Sequence, residues 1–271
     1  MRLEINNGDF SIQWGGIYYF ALQDYPNISE TELDRISKFV AYEKYNNRET
    51  EIVCENKKIL DQVLEYVSIS KPTPPFYPKN KMEGCIFNEA GDCITSDFIS
   101  HTTTTETAKK ILIDGEILSA TKAFSLSNEE LVKDSRNAAG DPYDYFDYVM
   151  FAWSNVNSGY RLAMERFIGR NPNEEELNEK FVPGVSFHFK YYDIINCKGY
   201  IFDGYHPAKV RDSINLDKLL YLCVIPEYLK KEFKEIIPES LRRRVIYIKY
   251  TGEGLIEWNK KVYEYVLRGL Y

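Results

Sequence analysis

The side chains able to do chemistry are few in this 271-residue chain, and their scarcity makes each position informative. There are three histidines: His101, His188 and His206. His101 follows the strand-like Phe98-Ile99-Ser100 and precedes Thr102 and a helix start. A neutral imidazole at such a place is either satisfied by backbone or offers a hydrogen bond to a ribose hydroxyl, with neighbouring backbone free to meet a flat amide. The five cysteines follow no regular spacing, and neither C-x-x-C nor H-E-x-x-H occurs. A zinc site would have to gather Cys85, Cys93, His188 and His206 from scattered positions, so no metal is expected. The Gly-rich phosphate loops and the G-x-S-x-G nucleophile elbow are also missing from the sequence. Arg242-Arg243-Arg244 reads as a solvated strand edge, and Glu174-Glu175-Glu176 as an exposed helix start favourable to the helix dipole.

The elements that must position these residues fall into two modules. Lys71 to Asn80 holds Pro72, Pro74, Pro75 and Pro78, each with fixed φ and no amide hydrogen, so residues 71–80 read as an extended, semi-rigid linker. Residues 1–70 read as a small α+β module. Leu3 and Ile5 alternate with polar neighbours, and Phe10 and Ile12 do so again after Asn7-Gly8, a hairpin signal. Ser29 and Glu32 form a capping box opening a helix with Leu33, Ile36, Phe39 and Val40 on one face. Glu51 to Glu55 reads as a strand, and Ile59, Val63 and Val67 mark a second helix. Trp14-Gly15-Gly16 reads as an ordinary turn.

In residues 81–271, Thr103 and Glu106 read as a capping box for a helix stopped by Gly115, followed by a strand at Ile117-Leu118. Tyr148 to Trp153, Gly184 to Phe189 and Leu219 to Ile225 are short apolar runs typical of buried strands. Arg244 to Tyr250 reads as a late strand and Glu257 to Leu267 as a terminal helix. Strands interleaved unevenly with helices predict an α+β fold.

The net charge of −7, from 34 basic and 41 acidic side chains, argues against a broad grip on duplex nucleic acid. It leaves room for one nucleotide in a local pocket. The 22 tyrosines read as core and surface, or as rings that stack on a flat ligand. No apolar run approaches the ~18 residues of a membrane span, and the polar start lacks a secretory signal. With unpatterned cysteines this predicts a soluble cytoplasmic protein that does not engage a membrane.

Several of these segments resemble the ADP-ribosyltransferase superfamily. ISHTTTTETAKKILIDGEILSA looks like its opening motif, a His or Arg at a strand end followed by a helix and "IL-x-x-G". VKDSR, then FDYVMFAWSNVNSGYRLAME, is similar to the DarT family of DNA ADP-ribosyltransferase toxins, and IFDGYHPAK resembles that family's "TDGHA" segment. Related abortive-infection proteins share the pattern. The likeness covers about residues 96–250. It implies a split-sheet core over residues 81–271, with NAD as co-substrate. His101 and Thr102 would meet the nicotinamide ribose and amide, Arg136 would match the family's catalytic arginine and hold the pyrophosphate or orient the base, and Phe151, Trp153 and Tyr160 would wall the nicotinamide.

The chain departs from the family in one respect. Where the family has a strand glutamate, in "AEFLV", this chain has LLYLCVIPE, with Tyr221 or Leu220 in its place, and a Tyr221 hydroxyl there would donate a hydrogen bond to the NAD ribose. Strand alternation puts Tyr221 with Cys223 on one face and Leu220 with Leu222 and Val224 on the other. Glu227, after Pro226, is the first substitute carboxylate, and Glu165 on the Tyr160 helix is another. A carboxylate matters because cleaving an N-glycosidic bond passes through an oxocarbenium-like state. The function implied is NAD-dependent ADP-ribosyl transfer onto a nucleobase of DNA or RNA, in a toxin or phage-defence role. The alternative is a transferase-like domain without turnover that binds NAD, nucleic acid or a protein. Residues 1–70 would then recognise an antitoxin or a phage component.

Overall fold

The computed structural model describes residues 1–8, 11–14, 16–74, 76, 96–134, 140–204 and 206–269. Two sheets organise the chain. The first is built from β1 (Arg2–Asn6), β2 (Ile12–Trp14), β3 (Ile17–Ala21) and β4 (Glu51–Cys54), with α1 (Glu30–Tyr45) and α2 (Lys57–Ile69) packed on it. Its order is β2-β3-β1-β4. The Ser29–Glu32 capping box forms as the sequence predicts, and Ile36 and Phe39 are fully buried. The Asn7-Gly8 hairpin does not form, because β1 pairs in parallel with β3 and β4 and never with β2. Gly8 instead donates its amide to the Asn6 side chain. The tight hairpin is one turn later, between β2 and β3, where Gly16 takes φ +77°.

The second sheet comes from β5 (Phe98–Thr103), β7 (Tyr148–Trp153), β8 (Val185–Lys190), β9 (Tyr200–Ile201), β10 (Ala208–Arg211), β12 (Leu220–Pro226) and β13 (Val245–Ile248). Its order is β13-β12-β8-β5-β7-β10-β9, antiparallel except for the β12–β13 pair. A two-stranded ribbon joins β6 (Glu116–Leu118) to β11 (Ser213–Asn215). The helices of this unit are α3 (Thr105–Asp114), α4 (Ala120–Phe124), α5 (Asn128–Lys133), α6 (Ser158–Ile168), α7 (Glu174–Leu177), α8 (Tyr191–Ile195), α9 (Leu216–Leu219), α10 (Lys230–Phe233) and α11 (Leu255–Arg268). The fold is therefore α+β, with a large mixed sheet. No helix of the described residues is long and apolar enough to cross a membrane.

Pairing register assigns the two faces of this sheet. Ile99, His101, Phe151, Trp153, Phe187 and Phe189 share one face, against α3 and α8. Ser100, Thr102, Ser186 and His188 share the other, against α6 and α11. α6 sits unusually close to β5. A Cβ on Gly159 would fall 2.8 Å from Thr102 Oγ1, and one on Gly184 would fall 2.3 Å from the Thr103 carbonyl oxygen.

Several expectations need correction. The helix after β5 is capped by Thr104, whose hydroxyl accepts from the Thr107 amide, because Thr103 is still paired in the strand. Arg244 is no solvated edge: its guanidinium donates to the carbonyls of Leu216, Asp217 and Leu220, closing the end of α9. Of the linker, Phe76 is buried and bridged to Phe202, so this point is docked on the second sheet; residues 75 and 77–80 lie outside the described residues. The face assignment of Tyr221 fails because β12 carries a bulge between Leu220 and Leu222. Leu220 therefore pairs with Phe189 and joins Cys223 on one face. Tyr221 packs with Leu222 and Val224 on the other, its ring 4.6 Å from Phe98.

Candidate active site

The sheet parts in its middle. β5 and β7 pair only at Ile99 with Trp153 and Ser100 with Ala152. Beyond that point β7 pairs with β10, from Ala208 with Phe151 to Arg211 with Tyr148, while His101 to Thr103 pair with β8. His101 spans the opening: its Nδ1 donates to the Met150 carbonyl at 3.2 Å, which leaves Nε2 as the acceptor nitrogen. Burial holds its pKa down to about 4, so the ring is neutral at neutral pH.

Several charged groups of the second unit act on one another electrostatically. Glu165, on α6, is 1% exposed, and among the described residues neither carboxylate oxygen has a hydrogen-bond partner. Burial pushes its pKa up to about 7, against the pull of Arg166 and Arg161, and Asp141 adds to the rise. Burial also raises the carboxyl of Asp141, while Arg166, His206 and Lys209 pull it down. The Arg166 charge acts on His101 as well.

A separate cluster is a buried ionic chain. Asp203 accepts from the His206 backbone amide at 2.8 Å through Oδ1 and from His206 Nδ1 at 3.0 Å through Oδ2. Lys209, fully buried, reaches the same Oδ2 at 3.4 Å and Asp144 at 3.6 Å, and donates to the Tyr42 hydroxyl at 3.2 Å. Its ammonium lies 3.9, 4.8 and 4.9 Å from the ring centres of Tyr145, Tyr42 and Tyr148. Asp144 also accepts from Tyr42 and from Arg48, whose guanidinium holds Glu43. Tyr42 and Glu43 of α1, and Arg48 just after it, belong to the first unit, so the first unit completes this cluster.

The residues singled out from sequence are divided among three places. His101 lies at the opening, with Phe151 edge-on at 6.5 Å. Phe151 and Trp153 are core side chains, packed on Phe189 at 5.5 Å and Tyr191 at 4.7 Å. Thr102 is on the opposite face, under Gly159. Tyr160 is on that face too, committed to a buried polar chain: its hydroxyl meets Ser186 Oγ at 2.8 Å, Ser186 meets His188 Nε2 at 2.8 Å, and His188 Nδ1 meets Ser154 Oγ at 2.9 Å. Burial holds His188 down to about 3. Tyr221 packs beneath α11, and Glu227 is exposed in a short turn beyond β12. Arg136, Cys85 and Cys93 lie outside the described residues. Among the described residues no group of three or more His, Cys, Asp or Glu is placed to hold a metal ion.

The signal for the missed groups was present in part. FDGYHPAK carries an Asp, a His and a Lys within seven residues. Only the turn at Gly204, at φ +86°, folds Asp203 onto His206. No protein-family model, no curated protein and no solved structure matches the chain.

Proposed function

We propose that the protein is an NAD-dependent ADP-ribosyltransferase with an ADP-ribosyltransferase-like core in residues 81–271, and that Glu165 rather than Glu227 is its working carboxylate. The observation that carries this is the Glu165 carboxyl on α6, buried and without a hydrogen-bond partner among the described residues. A buried carboxyl without donors is costly and calls for a ligand that supplies them. The ribose hydroxyls of NAD are such donors, and a cation developing on the sugar would favour the ionised carboxylate. Neutral His101 on the central strand fits the ribose contact that the resemblance assigns to it.

A nucleic-acid acceptor suits a second feature. A groove of about 510 Å³ runs between the end of α1 and β9–β10, lined by Tyr42, Tyr45, Asp144, Tyr148, Tyr200 and Arg211. The Arg211 guanidinium lies 5.1 Å from the Tyr148 ring centre. Rings and a guanidinium together suit stacked single-stranded bases.

The test is calorimetry with millimolar NAD, followed by assay of nicotinamide release. The parent should bind, and His101→Ala and Glu165→Gln should each weaken binding or release at least about tenfold, the usual size of one lost hydrogen bond to a charged group. No binding of any nicotinamide nucleotide would remove the reading. Binding without nicotinamide release would favour the alternative, a transferase-like binding module, to which the displaced Tyr221 also points.

A further inference from the structure

We propose that the groove between α1 and β9–β10 is a nucleotide site shared by the two units, and that a nucleotide bound there clamps the first unit onto the second. The inference goes beyond the transferase reading and does not need it, since no bond is made or broken.

The groove has one wall from each unit. Tyr42 and Tyr45 lie three residues apart on α1 and so share a helix face. Tyr42 is buried, and its hydroxyl donates to Asp144 at 3.1 Å. Tyr45, which also lines the groove, remains 61% exposed. Just beyond the helix, Asn46 donates through Nδ2 to the Tyr42 carbonyl at 2.9 Å, which leaves its Oδ1 as an acceptor for an exocyclic amino group. The second unit's wall is set by strand register. Tyr148 on β7 and Arg211 on β10 are direct antiparallel partners, so their side chains leave the sheet side by side. The Arg211 guanidinium accordingly donates to the Tyr148 hydroxyl at 3.2 Å, with its carbon 5.1 Å from the ring centre. Gly199 lines the groove without a side chain, and a Cβ there would fall 3.1 Å from Arg211 Cβ.

These residues suit a flat ring joined to an anion. An exposed tyrosine ring gains by stacking on a base of any kind. The Arg211 side chain is 53% exposed, and its one ion-pair partner among the described residues is Asp147, at the loose distance of 3.9 Å. Its fork of donors is therefore open to a phosphate. Two of the rings are held in place beforehand, because the buried Lys209 ammonium lies 4.8 and 4.9 Å from the ring centres of Tyr42 and Tyr148. Little ordering of that wall is left for binding to oppose. Tyr42, Tyr45 and Asn46 come from the first unit, and Tyr148 and Arg211 from the second. A nucleotide that spans the groove is thus held only while the units are docked, and by mass action it favours the docked state.

The test uses the full chain with AMP as the probe and a short single-stranded oligodeoxyadenylate as a second arm. Calorimetry should show AMP binding, with adenosine at least about tenfold weaker, the size of one lost hydrogen bond to a charged group. Arg211→Ala should weaken AMP by the same factor, and Tyr45→Ala by at least about fivefold, the low end for one lost stacking ring. Tyr192→Ala removes an exposed tyrosine that does not line the groove and should bind as the parent does. An oligonucleotide that binds at least about tenfold tighter than AMP assigns the site to a strand, and a smaller gain assigns it to the free nucleotide. Hydrogen exchange reads the clamp: the bound probe should slow the backbone amides of Tyr42 to Tyr45 and of Ala208 to Arg211 together. Slowing in β10 alone would confine the ligand to the second unit and overturn the clamp. No binding of either probe at millimolar concentration, or binding that neither groove variant weakens, would overturn the site itself. The transferase reading would stand in each of these cases, because it is judged on nicotinamide release.

Discussion

Replacing Glu165 by Gln should flatten one component of the protein's pH-dependent stability. The Glu165 carboxyl titrates near 7 in the fold, against 4.5 for an unperturbed glutamate. The folded state therefore holds this proton more tightly than the unfolded state. Its stabilising contribution is full below pH 4.5 and is lost as pH rises through about 7. Worked through the linkage relation, that is about 2.5 kcal/mol gained between pH 8 and pH 5. Glutamine keeps the shape and has no proton to gain. His101 and His188 work in the opposite sense. They are held near 4 and 3, so the unfolded chain takes up protons below about 6.5 that the fold resists, and stability falls. Both histidines remain in the variant, so their effect cancels in the comparison. Urea unfolding followed by tryptophan fluorescence at pH 8, 6.5 and 5 gives the two curves. The parent should gain about 2.5 kcal/mol relative to Glu165→Gln as pH falls. Curves that stay parallel within about 0.5 kcal/mol would refute the assignment of Glu165 as a buried carboxyl with a raised pKa.

Gly184→Ala should cost about 1–3 kcal/mol, read as a lower urea midpoint, because its methyl would fall 2.3 Å from the Thr103 carbonyl oxygen and 3.0 Å from Ala163 Cβ. Lys209→Met should cost about 3–5 kcal/mol, since Asp203 would be left as a buried charge without its cation. The double variant Lys209→Met, Asp203→Leu should recover part of that loss, and a double variant no better than the single one would sink the ion-pair explanation. Residues 81–271 expressed alone should melt at lower temperature than the full chain, because Tyr42 and Arg48 leave with the first unit. Equal melting temperatures would mean that α1 contributes nothing to the second unit.

Local signals carried most of the elements. The boxes and stops around α1 and Gly115, and the apolar runs of β7, β8 and β12, lie within a few residues of where periodicity puts them. What failed were features decided by distant partners. β9, β10 and β11 are two to four residues each, too short for a periodic signal, and they exist because β7 and β6 offer edges to pair with. The bulge in β12 is a property of its pairing with β8, and no residue type in LLYLCVIPE announces it. The same holds for the site. His101 was legible because a strand end, a threonine and a capped helix surround it in sequence. The burial of Glu165 was not, because it depends on α6 packing against β5, far from it in sequence.

The contact between Tyr42 and Lys209 spans 167 residues and changes what the first unit is for. A pair of modules joined by a proline-rich linker suggests that residues 1–70 act on something outside the chain. In the structure Tyr42 and Glu43 of α1, with Arg48 just after it, pack against Asp144 and Lys209 of the second unit, and the α1 backbone at Phe39 lies close to Gly204. Lys209 cannot be buried as an ion without those partners: Asp203 and Asp144 supply charge, and the tyrosine rings replace its water. A ligand that pulled α1 away would expose this ammonium and free the His206 turn together. The first unit is thus part of the packing that buries Lys209.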